Sequence, residues 1–230
     1  MKIAGIQKLT LLDFPGLMAA TIFTNGCNFM CPFCHNSALV IDSSLNELID
    51  EKEIFEFLET RKGKLDGICI SGGEPLLQND IIDFIKKVKT MGYKVKLDTN
   101  GYLFPKLKEI IDLNIIDYVA MDVKNSIKKY PLTCGMNELF TDNILKSIAY
   151  LKENHVDYEF RTTIVKELHG FDDIKEIGEL LKGAKRYYLQ QFEESENNIK
   201  KGYSAHDIET LINYKNYLNS INIYTEIRGI

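Results

Sequence analysis

Gly67-Ile68-Cys69-Ile70-Ser71-Gly72-Gly73-Glu74-Pro75 reads as an apolar strand running directly into a polar, glycine-bearing turn. The segment after it has helical period: in Asp80–Met91 the apolar residues Ile81, Ile82, Phe84, Ile85 and Val88 recur at helix spacing. Lys86, Lys87 and Lys89 are left facing water. This order of strand, turn and helix repeats along the chain. Strands are predicted at Ala19–Thr24, Gly67–Ser71, Lys94–Asp98, Ile116–Val123, Tyr158–Val165 and Arg186–Phe192, with a closing run at Ile221–Ile227. Helices are predicted around Glu51–Arg61, Asp80–Met91, Phe104–Leu113, Asn143–Asn154, Asp173–Leu181 and Ala205–Leu218. Such alternation is the mark of βα units around a parallel sheet.

Repeated βα units either close into a barrel or spread as an open, doubly wound sheet. The unusual residues favour the barrel. Polar or glycine-bearing clusters sit just after strand upon strand: Asn25-Gly26-Cys27, Ser71-Gly72-Gly73-Glu74-Pro75, Asp98-Thr99-Asn100-Gly101 and Asp122-Val123-Lys124. A barrel top gathers many strand ends, whereas an open sheet concentrates its contacts at one switch point. Eight units do not fit the count, so the expected fold is an α/β, incomplete (β/α)6 TIM-like barrel. No linker or internal repeat divides the chain, which is read as one domain over residues 1–230.

The composition is that of a globular protein, and 28 Lys plus Arg against 33 Asp plus Glu leave a net charge of −5. That balance argues against a strongly basic grip on nucleic acid. Met1–Thr10 lacks the features of a secretory or transit leader, and no apolar run approaches a membrane span. Of the five cysteines, Cys27, Cys31 and Cys34 are packed together while Cys69 and Cys134 stand alone. An odd, clustered set suits a metal site in a reducing compartment, here the cytoplasm, better than a disulfide framework.

Cys27-Asn28-Phe29-Met30-Cys31-Pro32-Phe33-Cys34 places three thiols at CxxxCxxC spacing immediately after a strand. Thiolates suit iron–sulfur clusters or zinc, and a cubane ordinarily takes four. Three would leave one iron open to another ligand; alternatively, His35 or a remote Cys69 or Cys134 completes a zinc site. Cys69 falls in an apolar strand and reads as core, and Cys134 has no assignable role. Gly72 and Gly73 permit close backbone approach, and Glu74 offers acceptors to an ammonium group. Asp98 ends an apolar strand where a barrel would present it to the site. Asp122 and Lys124 flank Val123 and should project together. Arg161, if inward, requires an anionic partner, which the carboxylate of a bound amino acid would supply. His155, His169 and His206 read as surface residues.

With these residues in hand, the chain resembles the radical S-adenosylmethionine superfamily, and within it the glycyl-radical-enzyme activating enzymes. The branch serving anaerobic ribonucleoside-triphosphate reductase is the most similar. The resemblance is carried by Gly5 to Gly16, by Cys27 to Asn36 with its Cys34-His35-Asn36 ending, by Ser71 to Pro75 and by Asp98 to Gly101. It implies a 4Fe-4S cluster on Cys27, Cys31 and Cys34, with S-adenosylmethionine chelating the fourth iron. It also implies that Phe33 lies near the adenine and that Gly72, Gly73 and Glu74 hold the methionine ammonium. Asp98, Asp122, Lys124 and, less directly, Arg161 fall near the methionine and ribose, and His35 joins these contacts.

The implied activity is reductive cleavage of S-adenosylmethionine and abstraction of hydrogen from a glycine of the partner reductase. The electron would come from a flavodoxin- or ferredoxin-type donor. Leu189-Gln190-Gln191-Phe192 departs from the histidine that pyruvate formate-lyase activating enzymes carry after the sixth strand, and no cysteine-rich insert follows Val40. Activation of another glycyl-radical enzyme, such as pyruvate formate-lyase, is an alternative. A small-molecule radical enzyme such as 7-carboxy-7-deazaguanine synthase is another.

Overall fold

A computed structural model describes residues 1–41 and 43–230. Its single sheet has eight strands in sequence order. They are β1 (Ile3–Thr10), β2 (Ala19–Thr24), β3 (Gly67–Gly72), β4 (Lys94–Thr99), β5 (Tyr118–Asp122), β6 (Asp157–Ile164), β7 (Tyr187–Gln191) and β8 (Thr225–Arg228). From β2 onward every neighbouring pair is parallel, as the repeated units predict, and helices fill the crossovers.

Local chemistry sets the helix ends. Asp50 opens Glu51–Glu59 by accepting from the Lys52 amide at 2.8 Å, and Asp207 opens Ile208–Ser220 by accepting from Thr210 at 2.7 Å. Asn114, Asn154 and Asn222 take positive φ just after helices, a conformation that asparagine tolerates and that turns the chain toward the next strand. Outward residues Ile68, Ile70, Val95 and Leu97 share a core with Phe84, Ile85 and Val88 of the helix Ile81–Thr90, all of them buried. Removing a ring such as that of Phe84 from this core should cost about 3–5 kcal/mol.

The sheet curls. Arg161 on β6 reaches over β5 to Asp98 on β4, and Arg228 on β8 reaches Glu159 on β6. At the mouth, Phe192 beyond β7 meets Phe33 beyond β2 edge to face, with centroids 6.5 Å apart. Among the described residues no ladder joins β8 to β1, so the barrel is incomplete.

Two strands differ from expectation. β1 went unpredicted: it is an antiparallel edge whose register shifts between Ile3 and Gly5 and between Gln7 and Thr10, which breaks any clean alternation. β8 begins at Thr225, not Ile221, because Asn222 is still turning the chain out of the preceding helix. Lys89 also departs from the solvated face, being half-buried and paired with Asp117 at 2.6 Å. Among the described residues no helix is long and apolar enough to cross a membrane.

Candidate active site

The carboxyl ends of β3 to β6 and the loop after β2 enclose a cavity of about 220 Å³. Cys27, Cys31 and Cys34 line it together with Phe33 and His35. So do Gly72, Gly73, Asp98, Asp122, Lys124 and Arg161. Residues far apart in the chain thus share one wall because parallel strands all present their carboxyl ends to it.

The thiol loop is held by its backbone. Phe29 donates to the Cys27 sulfur at 3.4 Å, the Cys34 amide donates to the Cys31 carbonyl at 2.9 Å, and the Met30 amide donates to the Cys134 carbonyl at 2.9 Å. Gly73 donates to the Thr24 carbonyl and Glu74 to the Gly26 carbonyl, each at 2.9 Å. A Cβ on Gly72 or Gly73 would collide with the backbone of Thr24 or Gly26. The paired glycines therefore allow two turns of the chain to touch one another.

Glu74 does not line the cavity, contrary to the expected ammonium contact. Its carboxylate is 1% exposed and accepts from Thr99 Oγ1 at 2.8 Å, the Asn100 amide at 2.7 Å and the Leu76 amide at 3.1 Å. It braces the turns after β3 and β4 from beneath. Burial nevertheless pushes it up to about 7, against the pull of those donors.

The charged wall is an alternating chain. Lys124 Nζ lies 2.8 Å from Asp122, Arg161 Nε donates to Asp122 at 2.9 Å, and an Arg161 terminal nitrogen lies 3.3 Å from Asp98. Lys96 completes it from below Asp98. The register sets Asp122 opposite Arg161, so the two project from one face. Asp122 and Lys124 project together as expected, whereas the anion that Arg161 requires is furnished by the protein itself. Burial raises Asp98 and Asp122, but Arg161 and the neighbouring lysines overcome it and hold both below the usual carboxylate range. Burial likewise works against Lys124, yet Asp122 keeps it above its ordinary value. Three cations face two carboxylates, which leaves this wall one positive charge in excess.

Lys96 was missed, although its place two residues before Asp98 on one strand face marks it. Thr163 also lines the cavity. Cys134, left without a role, is buried behind the thiol loop, and its proximity lowers the Cys31 thiol. Burial instead pushes Cys27 up to about 12 and raises Cys34. His169 is not a surface residue: it is buried, its Nδ1 accepts from the Val165 amide, and its Nε2 therefore donates to the Lys124 carbonyl at 2.8 Å. Gln190 and Gln191 stay out of the cavity lining.

These residues suit an iron–sulfur cluster with an amino-acid ligand. Three soft donors face one cavity beside a cationic excess. Among the described residues no three of His, Cys, Asp and Glu converge as a site for a single metal ion. A cubane presents its irons at separate corners, so thiols serving it need not meet at a point.

The profile of the Radical SAM superfamily matches residues 21–184. MJ1227 of Methanocaldococcus jannaschii, classed by inference among glycyl-radical enzyme activating enzymes, is 38% identical over 195 residues, 83% of this chain and 80% of its own. A pyruvate formate-lyase-activating enzyme of Clostridium pasteurianum is 31% identical over 64% of this chain and 63% of its own. A radical SAM methyltransferase from Sphaerobacter thermophilus shares the fold, with a TM-score of 0.74 at 14% identity over 96% of this chain and 68% of its own. The chain belongs to the radical SAM superfamily, whose chemistry uses a 4Fe-4S cluster and S-adenosylmethionine, and within it to the glycyl-radical enzyme activating enzyme family.

Proposed function

We propose that this chain, as one radical SAM domain over residues 1–230, activates a glycyl-radical enzyme, namely anaerobic ribonucleoside-triphosphate reductase, in the cytoplasm. The observation that carries the reading is the meeting of Cys27, Cys31 and Cys34 with Asp98, Asp122, Lys124 and Arg161 around one cavity at the strand ends. The Gly5–Gly16 stretch and the Cys34-His35-Asn36 ending support the choice of reductase. The Clostridium relative supports pyruvate formate-lyase as the alternative target.

In this reading Cys27, Cys31 and Cys34 hold the cluster. When bound, the cluster and S-adenosylmethionine supply a one-electron cleavage that yields methionine and a 5′-deoxyadenosyl radical able to take hydrogen from glycine. The protein binds, orients and shields. Lys124 and Arg161 attract the methionine carboxylate, while Asp98 and Asp122 hold both cations in place. Phe33, 4% exposed, and Phe29, 2% exposed, form apolar walls that keep water out. Cys27, Cys31 and Cys34 release protons as metal enters. A flavodoxin- or ferredoxin-type protein supplies the electron.

Anaerobic reconstitution tests this directly. Brown, oxygen-sensitive protein that converts S-adenosylmethionine to 5′-deoxyadenosine and leaves a glycyl paramagnetic signal on the reductase is expected. Turnover that needs no protein partner would favour a small-molecule enzyme such as 7-carboxy-7-deazaguanine synthase. A signal on pyruvate formate-lyase alone would move the target.

A further inference from the structure

From Phe192 to Asp207 the chain crosses the barrel mouth with neither helix nor strand. Irregular runs of this length are uncommon in compact folds and usually functional. The centre of this strap touches the thiol loop. Asn198, 6% exposed, donates from Nδ2 to the Phe33 carbonyl at 3.0 Å, and the Lys200 amide donates to the Pro32 carbonyl at 2.8 Å. The direction of the Asn198 amide is settled independently. Its Oδ1 accepts from the Ser195 amide at 2.7 Å and from Ser195 Oγ at 2.8 Å, so its NH2 group must be the end that meets Phe33.

The two carbonyls so held lie between Cys31 and Cys34, in the part of the loop that carries both the Phe33 ring and the third thiol. Phe192 supports the same ring from the side and also meets His35, with centroids 5.8 Å apart. The far end of the strap is tied down as well: Ser204 accepts from the Lys166 amide through its carbonyl and donates its own amide to Glu167 at 2.8 Å. A tethered strap that grips a loop through a buried side-chain amide limits the loop to one conformation.

We propose that Asn198 is a positioning residue for the cofactor: by pinning the Phe33 carbonyl it sets the Phe33 ring and the Cys34 thiol for S-adenosylmethionine. This rests on the radical SAM reading above. Asn198→Asp keeps the acceptor bonds to Ser195 but removes the donor and opposes a carboxylate to a carbonyl. Wild type, Asn198→Asp, Asn198→Ala and the exposed neighbour Asn197→Asp are reconstituted anaerobically. Iron content, melting temperature, the paramagnetic spectrum with and without S-adenosylmethionine, and the affinity for S-adenosylmethionine are measured.

Asn198→Asp should retain iron and melt within a few degrees of wild type, yet bind S-adenosylmethionine about tenfold more weakly and with an altered spectrum. Asn197→Asp should match wild type. Wild-type affinity and spectrum in Asn198→Asp overturn the inference, as does a loss shared equally by Asn197→Asp. If Asn198→Asp does not fold, Asn198→Ala decides by the same measurements. A wild-type protein that forms no iron–sulfur centre sinks the radical SAM reading itself, an outcome distinct from a working wild type with a silent variant.

Discussion

The two ends of the barrel interior handle buried charge in opposite ways, and β6 carries both. Toward its amino end Glu159, fully buried, receives both terminal nitrogens of Arg228 at 2.7 and 2.9 Å and the Tyr118 hydroxyl at 2.9 Å. The Arg228 guanidinium also lies over the Tyr188 ring, 3.4 Å from its centroid. Two residues along the same strand, Arg161 shares Asp98 and Asp122 with Lys124 in walls open to the cavity, and with the buried Lys96 beneath them. In the lower network the buried Glu159 is neutralised by Arg228 within the protein. The upper one holds a cationic excess, which is what an anionic group entering from solvent would complete. Charge at one end is paired inside the barrel, and at the other end it borders the cavity.

That contrast is open to breakage, beginning with the largest effect. Cys27→Ala, Cys31→Ala or Cys34→Ala should remove S-adenosylmethionine cleavage below detection while the chain still folds. Iron content, 5′-deoxyadenosine yield and circular dichroism report these; full activity in any of them would falsify the ligand assignment. Arg161→Met should weaken S-adenosylmethionine binding about thirtyfold, because it removes one cation and leaves Asp98 and Asp122 short of a partner. Unchanged affinity on titration would show that the upper network is as self-contained as the lower.

Glu159→Gln makes the reciprocal test. It should lower unfolding free energy by about 3 kcal/mol, since Arg228 loses its counter-charge in a buried site, while the folded fraction binds S-adenosylmethionine as wild type does. Denaturant melts paired with binding titrations separate the two readouts, and a binding defect would erase the division between the ends.

The most gradual effect concerns Glu74, which lies under the upper site but is satisfied like the lower one. Its folded value, about 7, stands above the ordinary 4.5. The native state therefore keeps a proton that the unfolded chain has released. Its contribution to stability is full below pH 4.5 and declines as pH rises toward 7. Compared with Glu74→Gln, wild type should lose up to about 3 kcal/mol across that window. Parallel pH profiles would place Glu74 with ordinary exposed carboxylates.

Much of this was legible in order along the chain. The strand from Ala19 to Thr24 was read to the residue, and the ends of β3 to β7 moved by one or two residues, because interior strands joined by helical crossovers leave a strong period. β1 was not legible, since its bulges and exposed edge leave no such pattern. The expected site residues at strand ends line one cavity because a barrel gathers strand ends. Glu74 is buried beneath the turns it braces and His169 is buried rather than at the surface, because neither burial nor the direction of a carboxylate is encoded in spacing. Lys96 lay within reach of a period-two reading.

By itself the sequence determined what acts over a few residues: the spacing of three thiols, the helix caps, the glycines that let turns meet, and the repeat that makes a parallel sheet. Only the tertiary structure decided which charges neutralise one another, and that Asn198 grips Phe33 from 165 positions away. Covalent spacing governs the first kind of contact. The second depends on how far the sheet curls, which is a property of all its strands packed together.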